Sequence, residues 1–228
     1  MNLEQSIDHV KERINQACAR SGRHPEQVSL VAVTKTLPVE TVKQAYDAGL
    51  RIFGESKAQE VRDKVPVLPG DINWHFIGHL QTNKIKYVLP ASDLIHSVDS
   101  VPLAHAISEF SSKNELKPEI LLEVNTSTED SKFGIEPGNA VDIFFEISEL
   151  AYLKLRGLMT IAPFTDDESL IRKSFRTLAK IRDDIQNQSG SDEKLDLSMG
   201  MSGDFEIAIE EGSTIVRIGA SIFGPRRR

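Results

Sequence analysis

The 228-residue chain is poor in cysteine, tyrosine and tryptophan. It holds one Cys, one Trp and three Tyr, and aromatic residues make up 6% of it. With Cys18 alone, no intramolecular disulfide can form, and a reducing compartment fits best. No run of about 18 apolar residues occurs, so no membrane span is expected. The opening MNLEQSIDHVKERI lacks a basic stretch followed by an apolar block, so it is not read as a secretory signal, and a cytoplasmic protein is expected. Basic charge is not in excess. The 27 Lys+Arg against 34 Asp+Glu leave −7, and the pI is near 5.4, which argues against a protein built to grip a nucleic-acid backbone. No GxGxxG follows the first apolar run, and no P-loop, hydrolase elbow or paired-cysteine metal motif is present. No low-complexity linker divides the chain, so residues 1–228 are read as one domain.

What the sequence does contain is an alternation. Ile7, Val10, Ile14, Ala17 and Cys18 recur at the helical period, and Gly22 marks a stop. Cys18 is therefore read as a small core residue. Short apolar runs follow at Leu30–Val33, Arg51–Phe53, Trp74–Ile77, Leu94–Val98, Ile120–Val124, Leu153–Leu158, Leu195–Leu197 and Ile215–Ile218. Helical patterns separate them, at Val39–Ala48, Ala58–Val65, Thr82–Leu89, Leu103–Ser112, Ala140–Leu150, Ser169–Gln186 and Phe205–Glu210. Strand–helix alternation of this kind predicts an α/β protein with a parallel sheet under helices. Eight repeats in this length point to a (β/α)8 TIM barrel, with an open doubly wound sheet as the competing fold. No helix clearly follows the last strand, so the extra N-terminal helix is expected to take that place on the outer ring.

Barrel sites sit at the C-terminal ends of strands, and these ends are polar here: Thr34 and Lys35, Glu55 and Ser56, Gly78 and His79, Asp99, Asn125, Thr160, Ser198 and Gly219. Lys35 directly follows SLVAVT. A partly desolvated lysine loses proton affinity and becomes nucleophilic, which suits a Schiff base with an aldehyde. The plainer alternative is a strand-end lysine reaching solvent or paired with Glu55. The loop Ser198–Asp204, SMGMSGD, is expected to use Ser202 as the N-cap of the next helix, and Gly219 allows close backbone approach after the last strand. Barrels commonly bind phosphate between these two loops, although each loop alone also reads as turn chemistry. Arg217, inside the last strand, is read either as a structural ion pair or as facing a ligand. Lysine, phosphate cradle and strand arginine together fit pyridoxal 5′-phosphate (PLP).

Other features have plainer readings. His75 and His79 are four apart, but in a strand and loop rather than on a helix, so zinc is disfavoured; His75 is placed instead at the barrel mouth near the cofactor. Trp74 and Phe76 read as packing residues. Asp166–Glu168 read as the acidic start of the long helix that follows. Lys132 reads as a solvated loop lysine or a second amine for cofactor transfer. Arg226–Arg228 read as a solvated tail.

Seven segments in order, VAVTKT at Lys35, IFGESKAQE at Ile52–Glu60, WHFIGHLQTNK at Trp74–Lys84, SVDS at Ser97–Ser100, EVNTSTEDSKFG at Glu123–Gly134, GLMTI at Gly157–Ile161 and LSMGMSGDFEIAIEEGSTIVRIGASIFGPR at Leu197–Arg226, give a resemblance over nearly the whole chain. The chain resembles the pyridoxal phosphate homeostasis proteins, which look like the N-terminal barrel of alanine racemase, the type III PLP fold. The resemblance implies a monomeric barrel with PLP on Lys35 as a Schiff base. It also implies Arg217 at the pyridine nitrogen, and Ser202, Gly219 and Ala220 at the phosphate with the Met201 backbone nearby. Two positions depart from the family: Ser56 stands where Asn is usual, and Ala220 where Ser or Thr is frequent.

The resemblance also bears on activity. A nitrogen facing an always-charged donor stays unprotonated, and the ring is then a weak electron sink. Related racemases manage this with a second base, a tyrosine from an extra domain. This chain is read as ending just after the eighth strand, and Tyr46, Tyr87 and Tyr152 fall in helices or at an element's edge. The expectation is a PLP-binding protein of cofactor homeostasis with little or no turnover. It would meet apo PLP enzymes or PLP-synthesising enzymes transiently. The alternatives are a PLP-dependent amino-acid enzyme such as a weak racemase, and a barrel isomerase or aldolase whose lysine attacks a sugar carbonyl.

Overall fold

Alternate residues of each strand go to different layers, and this sorting builds the molecule. The computed structural model describes residues 2–127 and 133–225, so Lys132 and Arg226–Arg228 lie outside the described residues. Its strands are β1 (Ser29–Val33), β2 (Ile52–Glu55), β3 (Asn73–Phe76), β4 (Leu94–Val98), β5 (Glu119–Glu123), β6 (Lys154–Met159), β7 (Asp196–Ser198) and β8 (Ile215–Ile218). They pair in parallel and in order, and β8 returns to β1 with Ser29 opposite Ile215 and Ala32 opposite Ile218. That closing pair makes the sheet a barrel and excludes the open, doubly wound alternative.

Inside, Val31, Leu94, Leu121, Met159 and Ile215 form a compact central cluster, with Ile52 against it. Their neighbours along the strands face outward, as pleating requires. The outer layer is made of α1 (Leu3–Arg20), α2 (Val39–Asp47), α3 (Ala58–Lys64), α4 (Ile85–Val88), α5 (Val101–Lys113), α6 (Ala140–Ser148), α7 (Glu168–Ser189), α8 (Phe205–Glu210) and α9 (Ala220–Phe223). Ile120, Leu122, Leu158 and Leu197 pack under the α5–α7 side, while Ala32, Phe53, Val216 and Ile218 pack under α1 and α2. At the N-terminal ends of β5–β7, Arg156 bridges Glu119 (2.6 Å) and Asp196 (2.6 Å).

Helix α1 forms because its start and stripe agree. Asn2 and Gln5 make a reciprocal capping box, and Ile7, Val10, Ile14, Ala17 and Cys18 are all buried. The helix packs on α8 and α9: Arg13 pairs with Glu206 at 3.0 Å and lies 4.6 Å above the Phe205 ring. The extra N-terminal helix thus fills the outer ring beside the last strand, as expected. The expectation that no helix follows β8 is corrected, because α9 stands there. It is one turn long, ended by Gly224 in a left-handed conformation, and four residues are too few to show a period. The helix read at Thr82–Leu89 is reduced to α4 between two 3-10 turns, since Pro90 interrupts its continuation. Asp167 caps α7 through its side chain, which accounts for the acidic triplet Asp166–Glu168. Among the described residues, no helix is long and apolar enough to cross a membrane.

Candidate functional site

Lys35 occupies the turn that leaves β1, two residues beyond Val33. The turn is closed by Leu37 N–H donating to the Thr34 carbonyl (3.0 Å), and Thr36 in it takes φ +67°. Val33 is opposite Gly54 on one side, and Ala32 is opposite Ile218 on the other. Lys35 therefore stands at the mouth between the ends of β2 and β8, half-buried, with Ser56 and Gly219 at the neighbouring strand ends. Gly54 leaves room beneath: a Cβ there would meet Val31 Cγ1 at 2.9 Å. A cavity of about 250 Å³, lined by Val33, Thr36, Leu37, Gly219 and Phe223, opens between the β1 turn and α9.

Glu55, the plainer partner considered for Lys35, is occupied elsewhere. Strand alternation turns it to the outer face, where it takes Lys64 of α3 (2.7 Å) and the Thr34 hydroxyl (2.6 Å).

Arg217 lies opposite Val31 and, like it, on the inner face. It is 5% exposed, so its choice of acceptors is decisive. Nη2 donates to the Thr160 carbonyl (2.9 Å) and Nη1 to the Ser198 hydroxyl. The guanidinium can only donate, so the Ser198 oxygen accepts from it, and the same oxygen lies 2.8 Å from His96 Nδ1. His96 Nε2 in turn lies 2.9 Å from His75 Nδ1. One cation is thus linked through a serine to both imidazoles. Burial keeps both rings neutral, with His75 pulled down to about 3 and His96 well below the ordinary range. Burial also lowers Arg217 to about 10, partly offset by Glu123 and Asp204, so it stays charged at neutral pH. His75, placed by its sequence at the barrel mouth near the cofactor, stands three hydrogen bonds from Arg217. Its position on β3 opposite Gly54 and Leu94 puts it among the inward residues.

Glu123 ends β5 on the inner face, where burial and then Asp99 push it up to about 7. His79 pairs with Asp99 (3.0 Å) and stacks on Phe133 with ring centroids 3.9 Å apart.

The two candidate anion loops meet. Ser221 N–H donates to the Ser202 hydroxyl (3.2 Å), and the Ser221 hydroxyl to the Ser202 carbonyl (3.4 Å). Ser202 is not the N-cap expected of it. Helix α8 starts after Asp204, whose carboxylate accepts from Met201 N–H (2.6 Å), and this turn releases Ser202 toward α9. Gly200 holds the loop against α8 at φ +96°, where a Cβ would lie 2.6 Å from Ala208 Cβ. Gly219 is buried, whereas Ala220 and Met201 are exposed beside it.

The structure thus brings Lys35, Arg217, Ser202, Met201, Gly219, Ala220 and Ser56 to one end of the barrel. Sequence reasoning missed His96 and Glu123. The signal for His96 was its alternation with Leu94 inside an apolar run; for Glu123, a lone acid at the end of EILLE.

Closed barrel, inward arginine and mouth lysine define a barrel of the alanine racemase N-terminal-domain class, and the family model of that description matches residues 5–227. A pyridoxal phosphate homeostasis protein of Aquifex aeolicus is 43% identical over 228 residues, covering 100% of both chains. A crystal structure of an unknown protein from Bifidobacterium adolescentis is 42% identical, covering 97% of this chain and 94% of that one, with a TM-score of 0.93. PipY of Synechococcus elongatus, solved with PLP bound, is 33% identical, covering 94% of this chain and 100% of that one, with a TM-score of 0.80. The chain belongs to the pyridoxal phosphate homeostasis protein family.

Proposed function

We propose that this chain binds PLP through Lys35 and serves intracellular PLP homeostasis, taking the cofactor up and giving it back with little or no turnover. The observation that carries this reading is Arg217, charged, buried and facing inward one strand from the Lys35 turn. PLP needs an amine for its aldehyde, donors for its phosphate and a partner for its ring nitrogen, and the residues present fit all three. When bound, PLP supplies an aldehyde that condenses with an amine with loss of water. Lys35 Nζ is the amine. The joined loops at Met201–Ser202 and Gly219–Ala220 would supply the phosphate contacts, and Ser56, at the end of β2, would contribute at the same mouth. Arg217 would face the ring nitrogen as a donor only, leaving it unprotonated, which favours holding over carbanion chemistry. The PLP in the PipY structure and the name of the Aquifex relative support the same reading. In it, a monomeric cytoplasmic carrier meets apo PLP enzymes and PLP-synthesising enzymes transiently.

A second reading, a weak amino-acid racemase, is favoured by one observation. Glu123 on the inner face is pushed up to about 7, the range of a general base. Freshly purified protein should show an imine-type visible band that Lys35→Ala abolishes. Absence of the band in the wild type overturns PLP binding. Robust racemisation of any common amino acid, lost on Glu123→Gln, overturns the carrier in favour of the enzyme.

A further inference from the structure

A buried ionic cluster stands behind the Lys35 turn, on the outer face of the barrel. Lys64 Nζ donates to Glu55 Oε1 (2.7 Å), to Glu60 Oε2 (3.0 Å) and to the Thr34 carbonyl (2.9 Å). The Thr34 hydroxyl donates to the same Glu55 oxygen (2.6 Å), and Thr36 N–H donates to Glu60 Oε2 (2.7 Å). Three of these five bonds end on the residues immediately before and after Lys35. Lys64 is 5% exposed and Glu55 fully buried. Burying such charges is costly, and apolar residues of the same size would stabilise the β2–α3 contact at least as well. What apolar residues cannot do is grip a carbonyl, a hydroxyl and an N–H of one turn at once. The turn needs a grip, because Thr36 is a β-branched residue at φ +67°, a conformation that costs energy unless its surroundings impose it.

We propose that Lys64, with Glu55 and Glu60, positions Lys35: the cluster holds the Thr34–Thr36 backbone in one conformation and so sets how readily the Lys35 amine is reached and how long it keeps its cofactor. Lys64 is a positioning residue, acting from the outer layer without touching the bound ring. The cofactor half of this statement rests on PLP binding at Lys35; the conformational half does not. The groups facing Lys64 are Glu55, from the strand, and Glu60, from its own helix. Burial and the nearby Glu60 carboxylate push Glu55 up to about 7, so the cluster gains a proton as the medium turns mildly acid.

The test uses the full chain with Thr34→Val, Thr34→Ser, Glu60→Gln and Lys64→Met. In the cofactor-free protein, acylation of Lys35 by an amine-reactive ester is followed by peptide mass spectrometry, with exposed Lys117 as internal reference. Thr34→Val and Glu60→Gln should change the Lys35 rate several-fold and leave Lys117 unchanged, while Thr34→Ser, which keeps the hydroxyl, should retain the wild-type rate. In the PLP-loaded protein, Thr34→Val and Glu60→Gln should release PLP to an apo acceptor enzyme several-fold faster than wild type, and Thr34→Ser at the wild-type rate. An unchanged Lys35 acylation rate in Thr34→Val and Glu60→Gln, with only a lower melting temperature, overturns the proposal. Lys64→Met is then read for stability alone. A wild type that binds no PLP overturns the function proposed above, and the acylation rates still decide the clamp.

Discussion

The Ser198 hydroxyl lies 2.8 Å from His96 Nδ1 while accepting from Arg217, so one serine links a buried cation to a pair of imidazoles. Ser198→Ala removes both contacts and leaves Arg217 Nη1 and His96 Nδ1 without these partners inside the barrel. The cost of such buried unpaired groups is about 2 kcal/mol. The variant should unfold at correspondingly lower urea concentration with an unchanged slope. If PLP is bound, its visible band should shift as Arg217 gains freedom. A denaturation midpoint equal to wild type would show that the chain of bonds carries no stability.

Glu123 predicts a pH dependence. Its folded pKa, about 7, lies above the ordinary 4.5, so the folded state holds the proton that the unfolded state gives up in this interval. Stability from this group is complete below about pH 4.5 and is lost as pH rises through 7. His75 and His96 act in the opposite sense: they are held neutral, and stability falls as pH drops below the ordinary 6.5. Glu123→Gln should therefore flatten the decline in unfolding free energy between about pH 4.5 and pH 7 by on the order of 1 kcal/mol or more, leaving the more acid side as in wild type. Parallel curves for the two proteins across that range would contradict the assignment.

Gly200→Ala tests the anion loop. The new methyl would lie 2.6 Å from Ala208 Cβ and 2.9 Å from Phe205 Cα, on a residue at φ +96°. The loop must move, at a cost of about 2–4 kcal/mol. A thermal shift of several degrees should be accompanied by weaker inhibition of PLP uptake by inorganic phosphate, since the same loop carries Ser202.

Ile7→Ala tests the N-terminal helix. Ile7 is 1% exposed in the cluster that α1 shares with Ala32, Val216 and Ile222. Truncation should cost about 3 kcal/mol in a cooperative unfolding transition. A separate early transition would show instead that α1 frays independently of the barrel.

Much of this architecture was legible because strands and helices carry different periods. The runs at Leu94–Val98 and Ile215–Ile218 coincide with β4 and β8, and Phe205–Glu210 coincides with α8. Lys35, Arg217 and the two loops could be assigned to one end because a barrel places its strand ends together. What stayed hidden was pairing across the barrel. Nothing local to Ser202 tells that it serves Ser221 rather than its own helix, and nothing near Lys64, at the end of α3, tells that it points at Thr34. The His96–His75 link joins residues 21 apart, and Ser198 joins His96 across 102. Such contacts are set by inward direction and strand register, which the sequence encodes only through the complete fold.

The β1–β8 seam has one further consequence. Lys35 and Arg217 are separated by nearly the whole polypeptide, yet adjacent strands carry them. Joining distant chain segments is the slow, entropically costly part of folding such a topology. A small molecule that needs both side chains can be captured only after the last strand has docked against the first. Capture of such a molecule would therefore timestamp ring closure, and its presence during refolding would lock the seam from the inside.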